Sequence, residues 1–263
     1  MFEFHTNKET YYRWQFENAK EFVIPFIENV FPLNDKMKVL EVGCGEGGVL
    51  KAFVECGCYG LGVELSESRV NDANEFNKEF VGAGRMKFIA KNIYDEQFAA
   101  EFKGQFDLII LKDVIEHIPD QKKIMAQLKS YLTPTGKIFF GFPPWYMPFG
   151  GHQQLSRKKF LSKLPYYHLL PMPLYKGFLK MFGESKEVIA GLVEVKETGI
   201  SIERFERICK QLNFTIDKRQ LYFLNPIYKY KFGWKARKQN VVVGSVPYVR
   251  DFFSTCVYYL IGI

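Results

Sequence analysis

The stretch Val39-Leu40-Glu41-Val42-Gly43-Cys44-Gly45-Glu46-Gly47-Gly48 constrains the fold more tightly than any other part of the chain. A short apolar run that stops at closely spaced glycines reads as a buried parallel strand turning sharply into a helix, because glycine alone tolerates such backbone angles and such close approach of a ligand. Further on, Gly60-Leu61-Gly62-Val63-Glu64-Leu65 is a second apolar run, and it ends on an acid. That acid falls at the carboxyl end of the neighbouring strand, where acidic side chains in doubly wound folds accept hydrogen bonds from ribose hydroxyls. Glu41 narrows the ligand further. Two residues before the first glycine, a carboxylate repels a pyrophosphate and welcomes a cation. The pair of segments therefore predicts a nucleoside cofactor whose other end is positively charged.

Around these segments strands alternate with helices. Apolar residues at helical spacing from Phe16 to Phe31, with Pro25 dividing them, predict a helix leading into the first strand. Ser66 reads as the cap of a helix reaching to about Phe80, Met86 to Ala90 as a third strand, Asp95 to Phe102 as a helix, and Phe106 to Leu111 as a buried fourth strand. A helix from Asp120 to Tyr131 and a Pro134-Thr135-Gly136 turn lead to a fifth strand, Lys137 to Phe142. The last two strands are expected near Thr215–Leu224 and Ser254–Ile261, after a helix near Ser201–Leu212. This order predicts an α/β fold with a mostly parallel sheet, helices on both faces, and ligands at the carboxyl ends of the strands.

Glu41, Gly43, Gly45 and Gly47 complete a Glu/Asp-x-Gly-x-Gly-x-Gly pattern, and over residues 36–145 the chain resembles the class I S-adenosylmethionine-dependent methyltransferases, in particular the O-methyltransferases of ubiquinone biosynthesis. The resemblance implies a Rossmann-like, doubly wound, seven-stranded sheet whose last strand is antiparallel. It also implies S-adenosylmethionine as cofactor and S-adenosylhomocysteine as product. On that basis the cofactor set is Glu41, Gly43, Cys44, Gly45, Gly47, Glu64, Leu65, Asn92, Ile93 and Lys112, with Asn92 at the adenine amino group and Ile93 against the ring. Read without the family, Asn92 is a turn or helix cap.

Chemistry is expected after the fourth strand, at Lys112-Asp113-Val114-Ile115-Glu116-His117-Ile118-Pro119, which resembles the Glu-His-Ile/Val signature of these enzymes and of RNA 3′-end methyltransferases. If the segment is helical, Asp113, Glu116 and His117 share one face. His152, in Gly150-Gly151-His152-Gln153-Gln154-Leu155-Ser156, is set in a glycine-flanked loop, with Ser156 as the expected cap of a following helix. His117 and His152 are the expected catalytic pair, whereas His5 and His168 read as surface or packing residues. No metal is assigned; Asp113, Glu116, His117 and His152 are the residues that would hold a divalent ion if one bound. A histidine suits removal of a hydroxyl proton near neutral pH, which makes O-methylation the leading activity.

The rest of the chain is expected to choose the substrate. The whole chain reads as one domain, 1–263: an N-terminal helical part (1–35), a cofactor-binding core (36–145), an inserted cap (146–200) and a carboxyl-terminal part of the sheet (201–263) with a basic, aromatic arm. Pro143 to Phe149 reads as a wall of the pocket. In Tyr228-Lys229-Tyr230-Lys231-Phe232-Gly233-Trp234-Lys235, aromatic and basic residues alternate as on the two faces of a strand. Residues 1–131 carry 16 Lys/Arg against 21 Asp/Glu, and residues 132–263 carry 20 against 8, so the net charge of +7 conceals an acidic half and a basic half. A basic half favours an anionic partner. The expected partner is a small-molecule, lipid or glycan substrate, with RNA as the alternative; a cofactor-binding scaffold without turnover is a third reading. Five cysteines without zinc spacing read as reduced thiols, and with no leader or membrane-spanning run in the sequence the expected location is cytoplasmic.

Overall fold

The glycine turn folds as its composition requires. In the computed structural model, which describes residues 7–263, Gly43, Gly45 and Gly47 have φ values of 68°, 53° and 79°, a left-handed run that other residues rarely adopt. Space is as restrictive as torsion: a Cβ on Gly47 would strike the Phe88 ring, and one on Gly45 the Arg69 guanidinium.

Among the described residues eight strands make one sheet: β1 (Lys38–Val42), β2 (Tyr59–Glu64), β3 (Met86–Ala90), β4 (Phe106–Lys112), β5 (Leu132–Phe142), β6 (Thr215–Leu224), β7 (Arg237–Lys238) and β8 (Cys256–Gly262). Their order is β3-β2-β1-β4-β5-β8-β6-β7. β1 to β5 are mutually parallel. β8 is antiparallel to both β5 and β6, so β6 runs with the first five. The sheet is therefore mixed and has eight strands rather than seven; the additional one is the two-residue β7, antiparallel to β6 at the edge. The order reverses between β1 and β4, and in open α/β sheets the ligand crevice opens at such a switch point.

Two apolar layers cover the sheet. On one face Val39, Leu108, Ile110, Phe139 and Tyr258 pack against the helices Ile24–Glu28, Gly48–Glu55 and Glu67–Phe76. On the other, Leu40, Ile109, Ile138 and Tyr259 meet Phe98, Leu128 and Phe205 from the helices Glu96–Glu101, Gln121–Tyr131 and Ile202–Gln211. Residues alternate between the faces as strand geometry demands.

Several elements differ from expectation. The first helix begins earlier, at Lys8–Asn18, passes through a π turn at Ala19–Val23 and resumes at Ile24–Glu28. Pro25 has no N–H for the carbonyl one turn back, and the wider turn accommodates its ring. Asp113 to His117 is not one helix: Asp113 takes φ 57°, and only Ile115–His117 forms a 3-10 turn. Tyr228 to Phe232 is a short helix ended by Gly233 at φ 71°, not a strand. Asn225 Oδ1 accepts from the Ile227 N–H at 3.2 Å, a local turn that overrides the alternating pattern. Ser156 opens no following helix but ends the 3-10 turn Gln153–Leu155, and its hydroxyl donates to Glu184.

Between β5 and the helix Ile202–Gln211, two helices, Met172–Met181 and Lys186–Thr198, enclose their own apolar cluster of Leu161, Tyr167, Tyr175, Leu179 and Leu192. The second helix packs on the Ile115–His117 turn. His168 is a buried packing residue here: it pairs with Gln153 Nε2 at 2.8 Å and the Trp145 carbonyl at 2.9 Å. His5 lies outside the described residues.

Candidate active site at the carboxyl edge of the sheet

A cavity of about 510 Å³ opens where β1, β2, β3 and β4 end. Its size suits a small-molecule or cofactor pocket. Glu41, Gly43, Cys44, Glu64, Leu65, Asn92, Ile93 and Lys112 line it, eight of the ten expected cofactor residues. Gly45 and Gly47 lie behind that surface and shape the turn. The Gly45 N–H donates to Glu64 Oε2 at 3.1 Å, while Glu64 Oε1 accepts from the N–H groups of Leu65 at 2.8 Å and Ser66 at 3.2 Å. The carboxylate at the end of β2 is thus aimed before any ligand arrives. Asn92 Oδ1 accepts from the Tyr94 N–H at 2.9 Å, so the residue is a turn-former that also faces the pocket.

Glu41 is buried, with Oε2 accepting the Leu50 N–H at 2.9 Å. Burial pushes its carboxyl up to about 8, against the pull of that N–H and of Lys112. Lys112 is buried too, and donates to Gln15 Oε1 at 2.9 Å and Asp113 Oδ2 at 2.6 Å. Burial alone would lower its pKa, but Asp113 and Tyr11 outweigh it and the net direction is upward. Asp113 is driven the other way: burial raises it, and the Lys112 ammonium more than reverses that.

The two expected catalytic histidines meet. His117 and His152 rings stack at 4.9 Å between centroids and 19° between planes. His117 borders the cavity, whereas His152 sits behind it. Burial lowers both imidazoles, His152 to about 4 with the neighbouring His117 adding to the effect. Glu116 is buried beside them, and among the described residues neither of its carboxylate oxygens nor His152 Nδ1 has a hydrogen-bond partner. Burial, followed by the Asp113 charge, pushes the Glu116 carboxyl well above its usual range. Potential ligand atoms of Glu116, His117 and His152 lie within 4.8 Å of one another. Asp113, the fourth residue of the expected set, is held instead by Lys112.

Five contributors were not expected. Tyr11, Tyr12 and Gln15 enter the cavity from the helix Lys8–Asn18. Glu46 and Arg69 brace the glycine turn through two contacts of 3.1 Å. Conversely, Pro143 to Phe149 lines none of this cavity; Trp145 packs edge-on against His168 and its N–H donates to the Ile200 carbonyl.

A glycine turn closing on an acid at the end of the second strand, at the switch point of a 3-2-1-4-5 sheet, is common to nucleoside-binding doubly wound folds. The buried Glu41 before the turn and the antiparallel β8 beside β5 are features of the class I S-adenosylmethionine-dependent methyltransferases. The model of the methyltransferase domain family matches residues 15–166, more than half of the sequence, and the chain belongs to that family. It is similar to the ubiquinone biosynthesis O-methyltransferase of Methylococcus capsulatus, 30% identical over 39% of this chain and 42% of that one. The ubiquinone biosynthesis O-methyltransferase of Idiomarina loihiensis is 36% identical over 44% and 46%. The chain thus spans less than half the length of the curated relatives it matches. Among solved structures, a Pyrococcus horikoshii protein aligns with a TM-score of 0.59 at 18% identity, over 100% of this chain and 99% of that one. Geranyl diphosphate C-methyltransferase of Streptomyces coelicolor, in complex with Mg²⁺, geranyl diphosphate and S-adenosylhomocysteine, aligns with a TM-score of 0.53 at 14% identity, over 90% and 76%. At these identities the likeness is one of fold.

Proposed function

We propose that the protein transfers the methyl group of S-adenosylmethionine to a hydroxyl oxygen of a small molecule, lipid or glycan, with His117 or His152 taking the proton. The observation that carries this reading is the stacked histidine pair at the margin of the pocket. Glu64 would accept from the ribose hydroxyls, Asn92 and Ile93 would meet the adenine, and Glu41 would face the cationic methionine end. The acceptor oxygen attacks the methyl carbon in line with sulfur; the carbon–sulfur bond breaks, and its electron pair stays on sulfur as the sulfonium becomes a neutral thioether. The hydroxyl proton passes to an imidazole nitrogen. Burial leaves both imidazoles neutral at neutral pH, so a lone pair is available, but it also weakens them as bases, His152 with a pKa of about 4; His117, which borders the cavity, is the better-placed acceptor. Positioning supplies most of the acceleration, roughly 7–11 kcal/mol in favourable cases.

A second reading adds a divalent ion, and the unpartnered atoms of Glu116 and His152 favour it. The donor set suits Mg²⁺, Mn²⁺ or Zn²⁺. Bound there, an ion would lower the pKa of a substrate hydroxyl. Exhaustive chelation should then abolish turnover and Mg²⁺ or Mn²⁺ restore it; unchanged turnover leaves the histidine reading alone.

Labelled S-adenosylmethionine added to extract of the source cells should place methyl label in the small-molecule, lipid or glycan fraction, and label in RNA would overturn the proposal. The His117→Gln, His152→Gln double variant should lose roughly 10²–10⁴-fold in turnover while binding S-adenosylhomocysteine as before. Full turnover by that variant rules out a histidine base.

A further inference from the structure

Between β6 and β8 the chain leaves the sheet and makes an arm that the proposed reaction does not use. Val241 and Val242, opening the short helix Val241–Ser245, are 86% and 72% exposed. Trp234, Tyr248 and Phe253 are each at least half exposed. Trp234 is held in place by ring contacts with Tyr228 and Phe232, at 6.1 Å and 5.3 Å between centroids. Lys235, Arg237 and Lys238 are exposed beside them, and between residues 228 and 249 the chain carries five basic side chains and no acidic one. Basic residues on β7 would guard an edge strand against pairing, but guarding an edge requires neither two bare valines nor a half-bare tryptophan.

The arm shares an edge of the sheet with the pocket. β7 pairs with Tyr222 and Leu224 at the carboxyl end of β6, and β8 starts opposite Phe142, the carboxyl end of β5. The Lys231 ammonium stands 5.4 Å from the ring of Tyr11, which lines the cavity.

We propose that this arm is an interfacial docking surface for an anionic lipid bilayer, with Val241, Val242 and Trp234 entering the headgroup region and Lys235, Arg237 and Lys238 pairing with lipid phosphates. Trp234, Tyr248 and Phe253 could stack on bases, but the arm's most exposed apolar residues, Val241 and Val242, gain nothing from stacking, and it is this aliphatic pair that argues against RNA. A second copy would set one basic arm against another. A tryptophan followed closely by Lys235, Arg237 and Lys238 is a composition that settles at a lipid–water boundary. Docked this way, the carboxyl edge of the sheet faces the membrane. The corollary, which rests on the O-methyl reading, is that the acceptor is an amphiphile carried in that membrane.

Co-sedimentation with phosphatidylcholine vesicles, with and without phosphatidylglycerol, tests the docking. The wild-type chain should partition onto the anionic vesicles and remain in solution with the neutral ones. Val241→Asp with Val242→Asp should abolish partitioning, and Lys235→Gln, Arg237→Gln and Lys238→Gln together should weaken it about a hundredfold. Unchanged circular dichroism and S-adenosylhomocysteine binding in both variants show that the fold survives. Failure of the wild-type chain to bind S-adenosylhomocysteine would count against the methyltransferase reading and leave the vesicle result standing. The docking proposal is overturned if the wild-type chain ignores anionic vesicles or if the aspartate pair partitions normally. It is equally overturned if these residues prove to mediate self-association or RNA binding in place of vesicle binding.

Discussion

At the scale of single residues, Glu41 has the largest consequence. A carboxyl with a pKa of about 8 in the folded protein is mostly protonated at neutral pH, yet a cationic ligand end favours its anion. Cofactor binding should therefore expel a proton. Affinity for S-adenosylmethionine is predicted to strengthen from about pH 6 to about 7.5, by at most about tenfold per pH unit, below the range where an α-amino group loses its own charge. Titration calorimetry in buffers of different ionisation enthalpy would show the released proton, and Glu41→Gln should bind more weakly with a flat profile. Glu41, Glu64 and the glycines were legible in the sequence because each sits at a strand end, where position follows from the apolar run before it. Tyr11, Tyr12 and Gln15 were not. They reach the pocket from a helix whose apolar residues gather on no single face, so no local pattern marks them.

Among the elements, Asp251 joins pieces far apart in the chain. Its carboxylate accepts the Tyr146 N–H at 3.2 Å, just past β5, and the Ile202 N–H at 2.8 Å, at the start of the helix Ile202–Gln211. Asp251→Ala leaves two N–H groups without their acceptor and should cost about 3 kcal/mol in urea unfolding. Burial raises this carboxyl to about 7 despite its two donors. Between about pH 4 and 7 the unfolded chain has shed a proton that the folded chain keeps, so stability falls as pH climbs through that window. Asp251→Asn cannot ionise, and its melting temperature should fall less between pH 5 and 8 than that of the wild-type chain. Such links are invisible to periodicity, since they depend on where loops return. β1 to β4 and β8 were legible because each is a short apolar run, and β6 matches its expected span, Thr215–Leu224, whereas the two-residue, basic β7 carries no such signal. The alternation from Tyr228 to Lys235 does not make a strand, because it cannot outweigh the Asn225 turn that starts the helix Tyr228–Phe232 and the glycine that ends it.

Across the whole molecule, acidic and basic halves coincide with different tasks: the acidic half supplies β1 to β4 and the pocket, the basic half the arm and the segment after β5. Among the described residues no helix is long and apolar enough to cross a membrane. The sheet is unequal in another respect. β6 reaches it only through β8, which is threaded between β5 and β6. In native-state hydrogen exchange, amides of β6 and β8 should lose protection together and ahead of those of β1 to β4, and independent loss would mean the two are not one cooperative unit. The same threading sets a chronology. As the chain is made, β6 appears with only the two-residue β7 to pair with and β5 waits with a bare edge, and both stay largely exposed while the stretch between Leu224 and Cys256 is synthesised. During that interval the nascent chain is most open to capture by a neighbouring strand, and most in need of a chaperone.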